Sequence, residues 1–75
     1  MARLIVKAKG HTIDVQGKQA KAVYAAAQTE WQRLFSQPMT DDLKEAIHAC
    51  HFASHVFGFE GFYDGPDGVL IGWGL

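Results

Sequence analysis

Apolar and polar residues alternate through the first sixteen positions of the chain. Residues 3–9 and 12–16 each place an apolar side chain at every second position, and Gly10-His11 separates the two runs. Alternation of this kind predicts two half-buried strands, and the short interruption predicts that they form a β-hairpin. Because glycine comes first in the pair, a two-residue loop at Gly10-His11 would be a type II′ turn.

That loop also predicts which residues of the two strands face each other. Val6 would lie opposite Val15 on an apolar face, and Lys7 would lie opposite Asp14 on the polar face. Opposite charges in cross-strand positions stabilise an antiparallel pair, so this register is consistent with the sequence.

The period then changes to that of a helix. Residues 18–35 predict a first helix with one apolar stripe, and Pro38 stops it. A second helix is expected from Asp41 to Phe57, with Thr40 as its N-cap and Gly58 as its end. The stripe of the first helix contains Ala20, Val23, Tyr24, Ala27, Trp31, Leu34 and Phe35.

The last part of the chain predicts a second hairpin. Residues 59–63 and 69–73 flank Pro66-Asp67-Gly68, an order typical of a type I turn. The element order ββααββ indicates an α+β fold, with one antiparallel sheet of two hairpins covered on one face by an antiparallel helix pair. Residues 1–75 are expected to form a single domain, although the sequence leaves open how the hairpins pair.

Composition limits the classes of protein to which the chain can belong. It has 75 residues with 48% hydrophobic and 20% charged side chains, and no apolar run is long enough to span a membrane. Its single cysteine cannot form an internal disulfide, which favours a reducing compartment. We therefore expect a cytoplasmic protein without membrane contact, and a fold this small often gains stability by self-association.

Charge is divided unevenly along the chain. Residues 1–37 carry six Lys and Arg against Asp14 and Glu30, whereas residues 38–75 carry six Asp and Glu against Lys44. The halves are thus about +4 and −5. Such a division is compatible with a basic face for nucleic acid, an acidic face for a basic partner, or association between copies.

Three histidines occur on one side of the predicted second helix. His48, His51 and His55 share a narrow band with Lys44. A pair of histidines four residues apart can chelate a divalent metal, but Lys44 would oppose a cation and no cysteine or carboxylate completes the set. A solvent-facing polar band is the simpler interpretation, and a pH-dependent partner contact is a third.

No arrangement of residues predicts catalysis. Cys50 and His51 are neighbours in sequence, but adjacent helical residues point about 100° apart and cannot form a nucleophile and base pair. Cys50 also falls on the apolar side of the predicted helix, as expected for an inert core thiol. We expect no cofactor and no enzymatic activity.

A basic group near the first hairpin suggests a nucleic-acid-binding domain as one alternative. Its lysines and arginine could contact a phosphate backbone, although no aromatic residue is interleaved for base stacking. The group consists of Arg3, Lys7, Lys9, Lys18 and Lys21.

The second hairpin carries apolar residues on both faces of its strands. In a fold with one helical layer, only one of these faces can pack against the helices, so the other is free to meet another protein or a second copy. We therefore expect a small protein-binding module, an inhibitor or adaptor of the size class found in phages and mobile elements, that forms a homodimer. Its predicted contacts are Phe62, Leu70 and Trp73, with an acidic rim of Asp41, Asp42 and Glu45.

Overall fold

The computed structural model describes residues 1–58 and 61–74, with the backbone alone at position 62. The elements follow the predicted order ββααββ, which confirms the α+β class. Strands β1 (Ala2–Ala8) and β2 (His11–Gly17) precede helices α1 (Ala20–Phe35) and α2 (Asp41–Phe57), and strands β3 (Gly61–Asp64) and β4 (Leu70–Gly74) end the fold.

The four strands form one antiparallel sheet in the order β2-β1-β4-β3. The first and last strands of the chain pair directly, with Leu4 opposite Trp73 and Val6 opposite Ile71. The two hairpins are therefore joined within one chain, and β2 and β3 are the edges. Helix α1 lies over β1 and β2 while α2 lies over β4, which confirms that the helix pair covers one face of the sheet.

One hydrophobic core lies between the helices and this face. It takes alternate residues from the central strands and the inward positions of both helices, because these are the side chains that the two layers remove from water. Its largest fully buried side chains are Leu4, Leu43, Ile47, Ile71, Val6 and Val23.

The turn of the first hairpin differs from the prediction. Its central residues are Lys9 and Gly10, with φ of 52° and 79°, and not Gly10 and His11. Positive φ at both positions is typical of a type I′ turn, whose twist matches that of the strands better than an unprimed turn. The predicted type II′ turn is therefore wrong.

This turn changes the register of the hairpin by two residues. Val6 lies opposite Ile13 and not Val15, and Lys7 lies opposite Thr12 and not Asp14. Because side chains alternate with a period of two, the shift leaves the same residues on the core face. The predicted alternation is thus confirmed, and the predicted partners across the strands are wrong.

Both predicted helices form close to their expected bounds. Helix α1 begins two residues later than predicted, after Gln19. At the start of α2 the Thr40 hydroxyl accepts a hydrogen bond from the Leu43 amide at 3.2 Å, and at its end Gly58 has a φ of 62°. The predicted N-cap and C-terminal glycine are confirmed, since the Thr40 hydroxyl satisfies an amide that the helix leaves unpaired and Gly58 adopts the left-handed conformation typical of a helix end.

The connection between β3 and β4 is a tight turn of another type than predicted. Asp67 and Gly68 have φ of 54° and 75°, and the Val69 amide donates to the Pro66 carbonyl at 3.0 Å. A type I turn has negative φ at its central residues, so that prediction is wrong, whereas the Asp-Gly pair suits the left-handed conformation. Residues 59 and 60 of the predicted third strand lie outside the described residues.

Neither helix within residues 1–58 and 61–74 combines the length and apolar character that crossing a bilayer requires.

Candidate functional site

Helix α2 presents large apolar side chains to solvent as well as to the core. Its inward face carries Leu43 and Ile47, both almost fully buried. Phe52 lies about 180° around the helix from Leu43, at 100° per residue, and Val56 lies about 40° further. Their side chains are 68% and 53% exposed. A surface helix normally has one apolar stripe, so the second one needs an explanation outside the core.

The exposed residues follow the spacing of a helix that docks in a groove. Ala49, Phe52 and Val56 stand at i, i+3 and i+7, and all three are exposed. This spacing places them in one row along the outward side of α2. We call Ala49, Phe52 and Val56 the α2 apolar row. Phe57, at the end of the helix, is 77% exposed and adds apolar surface beyond the row.

The predicted acidic rim is located at the other end of the same helix. Asp41, Asp42 and Glu45 are all exposed, and the two aspartates occupy the first turn. Negative charge is favourable there because the amino end of a helix carries partial positive charge. Glu45 precedes Ala49 by four residues and so continues the α2 apolar row toward the acidic end.

The histidine band borders a groove between the helices. The His51 ring packs against Trp73 with a centroid distance of 4.4 Å, and the His48 ring meets Tyr24 of α1 edge-on at 4.7 Å. The groove has a volume of about 200 Å³ and also contacts Ala20, Lys21 and Ile47. His48 and His55 are exposed as predicted, but His51 is partly buried, so the band is not a uniformly solvated face.

Two of the histidines are close enough to share a proton. The Nε2 atoms of His51 and His55 are 2.8 Å apart, a distance at which one ring must donate and the other accept. Two imidazoles could contribute two ligands to a metal, but zinc sites take three or four protein ligands. Among residues 1–58 and 61–74, no three His, Cys, Asp or Glu side chains are grouped so as to hold an ion.

Partial burial at the groove lowers the pKa of His51 below 6.5, and its neighbours His55 and His48 lower it further. The folded chain then binds fewer protons at this ring than the unfolded chain. We expect the free energy of unfolding to be fully supported above pH 6.5 and to fall as the pH drops below it. Urea unfolding at about pH 7.5 and pH 5.5 measures this difference.

Substitution identifies the histidine that is responsible. His51→Gln should reduce the pH dependence of the free energy of unfolding. His11→Gln, a change at the first residue of β2, serves as the matched control. If the loss of stability between the two pH values is unchanged in His51→Gln, the assignment to His51 is wrong.

Cys50 and Ser54 belong to the inward side of α2. Burial raises the pKa of the Cys50 thiol, and the Ser54 hydroxyl donates to the His51 carbonyl at 2.7 Å. A thiol in this state is a poor nucleophile, and the hydroxyl is held by its own helix. The inward arc is formed by Leu43, Ile47, Cys50 and Ser54. Ala49 and Phe57 do not belong to this arc, because both are exposed.

The three predicted apolar contacts do not form one surface. Leu70 lies on the open face of the sheet and is 37% exposed. Trp73 points to the opposite face and is 2% exposed, so its predicted role as a surface contact is wrong. The reason is the pairing of β4 with β1, which makes β4 a central strand beneath α2. The side chain of Phe62 lies outside the described residues.

The predicted basic group is divided among separate parts of the fold. Arg3 and Lys7 lie on the open face of the sheet, where Arg3 donates two hydrogen bonds to Asp14 at 3.0 and 2.6 Å. Lys9 sits in the β1–β2 turn, 5.1 Å from the centre of the Phe35 ring. The remaining lysines, Lys18 and Lys21, follow Gly17 at the other end of the hairpin. This arrangement provides no continuous row for a phosphate backbone.

Sequence reasoning missed Phe52 and Val56. Their signal was present, because positions 52 and 56 lie opposite Leu43 and Ile47 on a helical wheel. The sequence alone does not distinguish this second apolar side from the side that packs in the core, because both sides of the helix carry apolar residues and either could meet the sheet.

Comparison of the chain with protein-family models, with curated proteins and with solved structures finds no match in any of the three.

Proposed function

We propose that this chain is a small protein-binding domain that acts by docking helix α2 on another protein, as an inhibitor or adaptor without catalysis of its own. The observation that carries the proposal is the exposure of Phe52 and Val56 on the outward side of a helix whose inward side is already packed. Grouped large apolar side chains on a surface typically mark a binding site. A cytoplasmic location suits the free thiol of Cys50.

The chemistry of α2 specifies the kind of partner. The α2 apolar row requires an apolar groove that accepts an aromatic ring and a branched side chain at helical spacing. Asp41, Asp42 and Glu45 require basic residues at one end of that groove, because a charged rim steers association and sets orientation. The partner is therefore a protein with an apolar groove that is basic at one end.

The test begins with capture of binding proteins by the tagged chain from the cells that naturally make it, followed by titration of each purified candidate. Phe52→Asp should raise the dissociation constant by at least about tenfold, since a central aromatic contact commonly contributes about 2 kcal/mol or more to binding. Gln32→Asp adds the same charge at an exposed position of α1. This variant should bind the partner as tightly as the unmodified chain does.

Circular dichroism on each variant separates loss of binding from loss of folding. Because Phe52 is exposed, Phe52→Asp should keep the secondary structure and change stability by no more than about 0.5 kcal/mol. A partner that binds Phe52→Asp and the unmodified chain equally would contradict the proposal. Unfolding of Phe52→Asp would also contradict it, by showing that the ring supports the fold.

A further inference from the structure

The outer edge of β2 is a long and regular strand edge. All seven residues from His11 to Gly17 pair with β1 without a bulge. In an antiparallel hairpin with a two-residue turn, Ala8 and His11 exchange hydrogen bonds, and hydrogen-bonded and non-hydrogen-bonded pairs then alternate. The backbone amides and carbonyls of Thr12, Asp14 and Gln16 therefore point outward. Within residues 1–58 and 61–74, no backbone hydrogen bond reaches them.

This edge has few of the features that usually prevent strand addition. Natural edge strands are protected by proline, by lysine, by bulges, by unpaired charges or by being short. Strand β2 contains no proline and no lysine, and its one charged side chain, Asp14, is bound by Arg3 of the neighbouring strand. The other edge strand, β3, has four residues and ends just before Gly65-Pro66. The two edges of the sheet thus differ in their capacity to accept a partner.

We propose that β2 pairs antiparallel with β2 of a second copy, so that two chains form one continuous eight-stranded sheet. This inference goes beyond the proposed function, because it uses β2 and α1 and leaves α2 free. A two-fold axis through Asp14 sets Thr12 of one copy opposite Gln16 of the other. In this register the outward backbone groups of residues 12, 14 and 16 face each other and can hydrogen-bond.

Side chains on both faces of the sheet support this register. On the core face, Ile13 of one copy meets Val15 of the other, which would cover a Val15 side chain that is only partly buried in a single chain. On the open face, the two Asp14 carboxylates meet at the axis. Each is held by its own Arg3 through paired hydrogen bonds, so the group at the axis has two positive and two negative charges and no net charge.

The flank of α1 above the β2 edge carries small side chains. Tyr24 faces α2, and Ala22 and Ala26 lie about 160° around the helix from it, on the flank that overhangs β2. Both alanines are exposed. The two β2 strands would lie about 4.8 Å apart. Because each α1 covers β1 as well as β2, the axes of the two α1 helices would be further apart than the strands, at about the 8–10 Å of packed helices. Alanines on this flank allow that distance, whereas long apolar side chains in their place would oppose it.

The middle of α1 lies at the level of the proposed axis. The start of α1 packs at the Gly17 end of β2, where Val23 lies close to Gly17, and Phe35 lies near His11 at the other end. Residue 29 of α1 is halfway between these two contacts, so a two-fold axis at Asp14 brings Ala26 of one helix close to Arg33 of the other. Each Arg33 is bound by Glu30 of its own helix, so that no large apolar side chain is needed at this contact.

Two pairs of matched variants test the edge and the flank separately. Thr12→Pro removes an outward amide, which an edge strand tolerates, while Thr12→Val keeps the amide and serves as its control. Ala26→Arg places a long cationic side chain against Arg33 of the other copy, while Ala25→Arg adds the same side chain about 100° around the helix, at an exposed position away from the axis. Sedimentation from about 5 µM to about 1 mM, the range of weak association, should give twice the 8.3 kDa chain mass for the unmodified chain and both controls.

We expect Thr12→Pro and Ala26→Arg each to weaken self-association by at least about tenfold. Amide exchange provides a residue-level measurement, because the outward amides of Thr12, Asp14 and Gln16 should become protected as the concentration of the unmodified chain rises. A chain that remains monomeric to about 1 mM, or a dimer that survives both substitutions, overturns the proposal. If Thr12→Pro does not fold, the comparison of Ala26→Arg with Ala25→Arg decides.

Discussion

Replacing Ala27 with aspartate is expected to cost about 3–5 kcal/mol in the free energy of unfolding, which is the range for an uncompensated charge in a protein interior. Ala27 is 0% exposed, and its side chain is on the side of α1 that packs on the sheet. The new carboxylate would be buried among apolar side chains and would lose its hydration without gaining a partner. Small domains have only about 5–15 kcal/mol of total stability, so this variant should be close to unfolding in water.

Ala25→Asp is the matched control for this prediction. Residue 25 is exposed on the same helix, so the substitution has the same cost in helix propensity but buries no charge. Urea unfolding of the two variants measures the difference between them. Similar losses for Ala25→Asp and Ala27→Asp would mean that α1 does not pack on the sheet through Ala27.

The second large effect is expected for Leu4→Ala, which should destabilise the fold by about 3 kcal/mol, within the range for buried leucines. Leu4 is 0% exposed and lies opposite Val15 on one side and Trp73 on the other. Truncating it leaves a cavity at the point where the two hairpins join. For a domain of this size the midpoint of thermal unfolding should fall by at least about 12 °C.

Leu70→Ala provides the comparison for Leu4→Ala. Leu70 is also in a central strand, but it faces the open side of the sheet and is 37% exposed. Its truncation should cost less than about 1 kcal/mol, because only part of its surface leaves water on folding. A loss for Leu4→Ala as small as that for Leu70→Ala would contradict the pairing of β1 with β4.

The two proposed surfaces are on different elements and make separate predictions. The α2 apolar row binds a different protein, whereas the β2 edge binds a second copy. Phe52→Asp should therefore leave self-association unchanged, and Ala26→Arg should leave partner binding at the α2 apolar row intact in each copy. If both hold, a dimer would present two α2 helices, and a partner with two grooves would bind more tightly through effective concentration.

Local signals in the sequence determined most of the secondary structure. Thr40 and Gly58 marked the ends of α2 because a capping hydroxyl and a left-handed glycine satisfy backbone groups wherever such a helix stands. Alternation in residues 3–16 predicted the correct faces of β1 and β2 despite the wrong turn. The turn itself was harder, since Lys9-Gly10 and Gly10-His11 both offer two-residue loops, and a non-glycine residue with positive φ is not evident from composition.

Only the tertiary structure decided which of the apolar surfaces are buried. Trp73 and Phe52 are both large aromatic residues in amphipathic elements, and nothing local distinguishes them. Trp73 is buried because β4 pairs with β1 between the two hairpins and lies beneath α2, while Phe52 is exposed because Leu43 and Ile47 fill the contact of α2 with the sheet. Strand pairing between residues about 70 positions apart is set by long-range packing, which is why the core and the candidate site followed from the assembled fold and not from the periodicity of the chain.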